Sequence, residues 1–92
     1  MIRLTRKPGC TITPELMRAH GAHLKRLEAK GQLVLCGPFA DQTGGMTIIR
    51  AGSLAEAEAV AAADPLVASG MEVYEVRPWL LTGGEGRPLA GD

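Results

Sequence analysis

Aromatic residues are nearly missing from this chain: one Phe, one Tyr and one Trp, 3% of 92 residues. That is too few for the stacked platforms on which single-stranded nucleic acids are held. Charge of one sign is missing too. Ten basic and ten acidic side chains cancel, so no net field steers the molecule to nucleic acid or to an anionic membrane surface. No apolar run approaches the roughly 20 residues that span a bilayer, and no signal-peptide core stands at the N-terminus. A cytoplasmic location is therefore expected.

Cysteine is scarce as well. Cys10 and Cys36 are the two present, and their spacing fits neither a zinc ribbon nor a Cys-x-x-Cys redox motif. In a reducing compartment both are expected as thiols. Cys36 reads first as a small buried hydrophobe in a strand, and second as an auxiliary group near a site. Gly44 and Gly45 lack the Lys-Ser partner and the strand-to-helix turn of a phosphate loop. There is no serine nucleophile elbow. No cofactor is expected.

What is present is a foldable single domain, with 46% hydrophobic residues. A domain of this size buries only about 60–65% of its unfolded surface. Its core is modest, and a partner subunit would add to it.

The organising stretch runs from His20 to Pro38. Thr13 can N-cap a helix, with Pro14 at its first position and Glu15 in its first turn. The helix is expected over residues 14–30, closed by Gly31 in the left-handed conformation. At about 100° per residue, Leu16, His20, His23, Leu24 and Leu27 share one face, with Arg18, Lys25 and Glu28 opposite. Both histidines of the chain thus lie on the stripe that should meet a sheet.

Residues 1–6 alternate apolar and polar, as a half-buried strand does. Residues 32–36 form a second strand, apolar on both faces and so expected at the centre of the sheet. Residues 46–50 form a third, close enough to the second to pair with it as a hairpin. Ser53 and Glu56 form a capping box before an alanine-rich helix that runs to about Ala63. Asp64-Pro65 ends it. One further helical turn over residues 66–69 is closed by Gly70, and residues 71–79 make the last strand, again apolar on both faces. Residues 82–92 read as a loose tail, which leaves a domain over residues 1–81.

The order β-α-β-β-α-β is the ferredoxin-like α+β arrangement: two helices on one face of a four-stranded antiparallel sheet. The other face keeps apolar side chains and is expected to be covered, most simply by a second copy in a dimeric α+β barrel.

His20, His23 and Asp64 are polar groups placed where a core should be. A carboxylate beside an imidazole fixes one ring tautomer and stabilises the imidazolium, which equips the ring to move a proton near neutral pH. Plainer readings compete: a histidine bonded to backbone in the core, and an aspartate that only caps the next turn. A two-histidine, one-carboxylate metal site lacks any ligand-rich signature to support it, and no metal is expected.

The chain resembles the YCII, or YciI-like, family over about residues 16–79. The resemblance is carried by His20, His23-Leu24-Lys25-Arg26-Leu27, Gly31, Leu33, Gly37-Pro38, Gly44-Gly45, Ser53 with Glu56 and Ala57, Asp64-Pro65, Gly70, Val76 and Trp79. It implies a ferredoxin-like fold that dimerises through its sheets. It also implies an active site of a helix histidine and the aspartate of the Asp-Pro pair, here His20 and Asp64, with His23 as an auxiliary imidazole. For chemistry it implies a lyase- or dehydrochlorinase-like reaction on a small cyclic or phenolic molecule. The alternative is a non-catalytic domain that binds a small ligand or a protein, with His20 and Asp64 structural.

Overall fold

Ile2 and Leu4 are buried while Arg3 and Thr5 are exposed, so the two-residue period sets one inner and one outer face on β1 (Ile2–Arg6). The computed structural model describes residues 1–83 and adds α1 (Pro14–Ala29), β2 (Leu33–Pro38), β3 (Gly44–Ile49), α2 (Leu54–Ala63), α3 (Pro65–Ala68) and β4 (Glu72–Val76). Of the tail expected over residues 82–92, residues 84–92 lie outside the described residues. Among the described residues no helix is long and apolar enough to cross a membrane.

The strands form one antiparallel sheet in the order β2-β3-β1-β4. With helices packed against one face, this is the ferredoxin-like α+β fold. The inner face buries Ile2, Leu4 and Ala61 together, ringed by Ile49, Val60, Val67 and Val76. Leu27 and Leu66 are also buried.

The helix ends follow their sequence signals. The Thr13 hydroxyl accepts the Leu16 N–H at 3.1 Å, and Gly31 takes φ +75° beyond the Lys30 cap. The capping box forms only in one direction. Ser53 Oγ accepts the Glu56 N–H at 3.1 Å, but Glu56 Oε2 accepts from Gly52 N–H at 2.9 Å instead of from Ser53. Its other oxygen accepts from Gln32 Nε2 at 3.0 Å, and this ties the start of α2 to the α1–β2 turn.

Three expectations are corrected. The strand apolar on both faces, β2, lies at the sheet edge and not at its centre. Its second apolar face is explained by an open sheet surface, where Leu35 is 63% exposed. The last strand ends at Val76 and leaves Trp79 exposed beyond it. It is not apolar on both faces either. Glu72 lies buried on the inner face with Tyr74 and Val76, opposite Arg6, Leu4 and Ile2 of β1, and Glu75 on the outer face pairs with Arg3 at 3.0 Å.

At the β1–β3 pairing the strands approach closely. Gly44 has φ +154°, and a Cβ built on it would lie 1.9 Å from the Leu4 carbonyl oxygen. The backbone cannot yield there without breaking the ladder. Gly44→Ala is therefore expected to cost about 2–4 kcal/mol. The loss should appear as a lower urea midpoint at unchanged slope. An unaltered midpoint would mean that the close approach does not matter.

Candidate active site

Thirteen residues into the chain, the Thr13 cap sets the phase of α1, and that phase turns His20 inward over the sheet. Separately, Pro65 forces Asp64 out of the helical region, to φ −62° and ψ 128°. The kink aims the Asp64 side chain back toward α1. His20 Nδ1 and Asp64 Oδ2 lie 2.7 Å apart. The other oxygen, Oδ1, accepts the Leu66 N–H at 2.9 Å and caps α3. Cap and imidazole partner, weighed above as alternatives, are the same carboxylate. Its side chain is 6% exposed and that of His20 is 16% exposed.

A carboxylate only accepts hydrogen bonds, so Nδ1 donates to Asp64 and carries a hydrogen. In the neutral ring this tautomer leaves Nε2 as the basic nitrogen. His20 lines a cleft of about 420 Å³ between α1 and the inner face of the sheet. Met17 and Leu24 of α1 wall it on one side. Leu4, Thr47, Cys36 and Glu72, one from each strand, form the other. It is mainly apolar with a few polar groups, the usual character of a small-molecule site.

His23 does not reach this cleft. It is buried between α1 and α2, 8% exposed, beside Val60 and Leu27. Burial pushes its pKa below the ordinary value, with the nearby charges of Arg26 and His20 adding to the effect. Asp64 and the Val60 backbone oppose it. The sequence pattern could not separate the two rings, because one helical turn holds both on the same stripe.

Cys36 is exposed and not buried as expected, since its strand is at the edge and its side chain opens on the cleft. Among the described residues no three His, Cys, Asp or Glu side chains are grouped to hold a metal ion. The hydrogen bonds of the Asp64 carboxylate go to His20 and to the Leu66 N–H.

Two polar residues of the site went unread in the sequence. Glu72 is 4% exposed and lines the cleft, as does Arg6. Burial raises the Glu72 pKa, Arg6 and His20 pull it back, and Asp64 raises it further. The available signal was strand alternation: Glu72 shares a face with Val76. Val73 on one face of the strand and Val76 on the other obscure it.

The sequence profile of the YCII-related domain matches residues 1–80. This chain belongs to the YCII family. An uncharacterised Bacillus subtilis (strain 168) relative, YjpA, is 45% identical over 67 residues, which are 73% of this chain and 79% of that protein. Among solved structures, this YCII chain is similar to 5-chloro-2-hydroxyhydroquinone dehydrochlorinase (TftG) from Burkholderia phenoliruptrix AC1100, in complex with 2,5-dihydroxybenzoquinone. The TM-score is 0.58 and the identity 24%, covering 85% of this chain and 94% of that one. At that identity the likeness is one of fold.

The His23 ring yields a pH prediction. Its folded pKa lies below the unfolded value of 6.5, so between the two the unfolded chain binds more protons. Above about pH 6.5 the ring adds no pH dependence. As pH falls below that value, stability is lost until the folded value is passed. His23→Gln should flatten the melting-temperature profile below about pH 6.5. Parallel profiles for the two proteins would remove His23 as the cause.

Proposed function

We propose that this protein is a small cytoplasmic enzyme of the YCII fold in which His20 is the general acid/base and Asp64 its orienting partner. The single observation that carries the reading is the 2.7 Å approach of a nearly buried carboxylate to a ring that lines a cleft of about 420 Å³. The substrate is a small cyclic or phenolic organic molecule, and the reaction is of the lyase type, dehydrochlorination being the nearest example. The fold neighbour's activity and its bound quinone support this choice.

In such an elimination, Nε2 of His20 takes a proton from the substrate. The electron pair left behind forms the new double bond, and the leaving group departs with its own pair. Asp64 keeps the proton on Nδ1 before the step and faces the imidazolium after it. A hydrogen bond to a charged group in so buried a place is worth about 1.5–3 kcal/mol. It is therefore strong enough to hold the ring in one orientation.

A homodimer packed through the open sheet face completes the proposal. Leu35 and Val73 are exposed on that face, and Met46 and Ile48 lie beside Leu35. Covering them would add apolar burial that a domain of this size lacks.

His20→Gln is expected to lower chloride release from 5-chloro-2-hydroxyhydroquinone by about 10²–10⁴-fold, and Asp64→Asn by a smaller factor with some loss of stability from the weakened cap. Full activity in His20→Gln would reject the assignment. For assembly, light scattering at micromolar concentration should return twice the mass of one chain, and the single-chain mass would refute the dimer.

A further inference from the structure

The cleft contains a carboxyl that the His20–Asp64 pair does not use. Glu72 is 4% exposed, yet none of the hydrogen bonds among the described residues involves its side chain, and the ion pairs there are Arg3–Glu75, His20–Asp64 and Arg77–Glu75. Arg6, its register partner on β1, does not come within ion-pair distance. Among the described residues every side-chain oxygen or nitrogen sealed from solvent has a partner. The unpaired Glu72 oxygens are therefore not sealed, and the space they open on is the cleft they line. An apolar residue at this position would bury surface without desolvating a carboxyl. Structural need does not account for a glutamate here.

Its position gives it a use. His20 belongs to α1 on one wall of the cleft and Glu72 to β4 on the other. A molecule between them meets a base on one side and a carboxyl on the other. We propose that Glu72 is a second catalytic residue of this cleft, a general acid that protonates an oxygen or ring carbon of the substrate while His20 removes a proton from it. The proposal rests on the acid/base reading of His20 above. It narrows the substrate to an oxygenated ring molecule with a proton to lose on one side and a proton-accepting atom on the other.

The step balances. Neutral His20 takes a proton at Nε2 from one site of the substrate and protonated Glu72 gives one to another, so this step is a tautomerisation that leaves the substrate's proton count and charge unchanged. In dehydrochlorination chloride then leaves the tautomer as the anion with its bonding pair, the proton lost with it returns to the Glu72 carboxylate, and solvent exchange after product release restores His20. Burial favours the protonated acid that the step requires. The charged and titratable groups facing Glu72 are Arg6 on β1, His20 on α1, Asp64 at the α2–α3 junction and the Cys36 thiol on β2.

The test is the pH profile of chloride release from 5-chloro-2-hydroxyhydroquinone by the wild type, Glu72→Gln, Glu72→Asp and His20→Gln, with melting temperatures of all four. The wild type should show a bell. Glu72→Gln should lose about 10²-fold or more in turnover and the fall on the alkaline side, where the acid ionises. Its melting temperature at pH 8 should be equal or higher, because a buried charge is gone. Glu72→Asp should recover part of the rate and the alkaline fall. A Glu72→Gln protein with wild-type turnover and profile, beside an impaired His20→Gln, overturns the proposal and leaves the His20 reading intact. Impaired Glu72→Gln with an unimpaired His20→Gln overturns the His20 reading, and the paired acid-and-base step with it. A lower melting temperature with an unchanged bell makes Glu72 structural. No chloride release by the wild type overturns both.

Discussion

The fold around the cleft depends on one carboxylate. Asp64 sits where α2 stops and α3 begins, and its two oxygens face in different directions. Oδ1 takes the Leu66 N–H, and Oδ2 meets His20 from α1. Remove it and α3 loses its cap, while a nearly buried imidazole loses its partner. Each loss leaves a polar group in a poorly hydrated place, which costs more than the bond itself contributes. Pro65 makes the arrangement possible by excluding the helical conformation at Asp64.

Around this point, a small core holds an unusual share of polarity. Its buried apolar residues are Ile2, Leu4, Leu27, Ala57, Ala61 and Leu66, and His23, Thr47, Asp64 and Glu72 are buried alongside. The two titratable groups pushed from their ordinary values by burial move in opposite senses: His23 toward loss of its proton, Glu72 toward keeping it. Both shifts favour the neutral form, as expected where charge is poorly solvated. Only the second group opens on the cleft. A displaced ionisable group lining a cleft is a recurring mark of proton-transfer sites.

The strand order then decides what is left uncovered. Because β1 and β3 occupy the middle of the sheet, β2 is an edge strand with a wet outer face and a thiol at the mouth of the cleft. The same inward face supplies Cys36, Thr47, Leu4 and Glu72 to the floor of the cleft. The site is thus built from four strands, α1 and the α2–α3 junction, none of which carries it alone. The glycine pair 44–45 lets those strands draw close enough to make a continuous floor, as the crowding at Gly44 requires.

Local rules determined much of this protein. The Thr13 cap, the Gly31 stop, the alternation of β1 and the break at Asp64-Pro65 were legible because each depends on neighbours within one turn of chain. From them came the element order and the ferredoxin-like fold, and helix phase placed His20 and His23 on the sheet side. What local pattern could not supply was distance. Whether His20 or His23 opens on the cleft depends on where α2 lies, and α2 closes over His23 alone. An apolar run on both faces of β2 has the same appearance in a central strand as in an edge strand with an open outer surface, so its place and the exposure of Cys36 waited on the pairing. Alternation pairs Glu72 with the Val76 face, but its place opposite Arg6 in the cleft is set by a register between residues some 66 positions apart in the chain. Propensity acts through near neighbours, and a site of this kind is assembled from far ones.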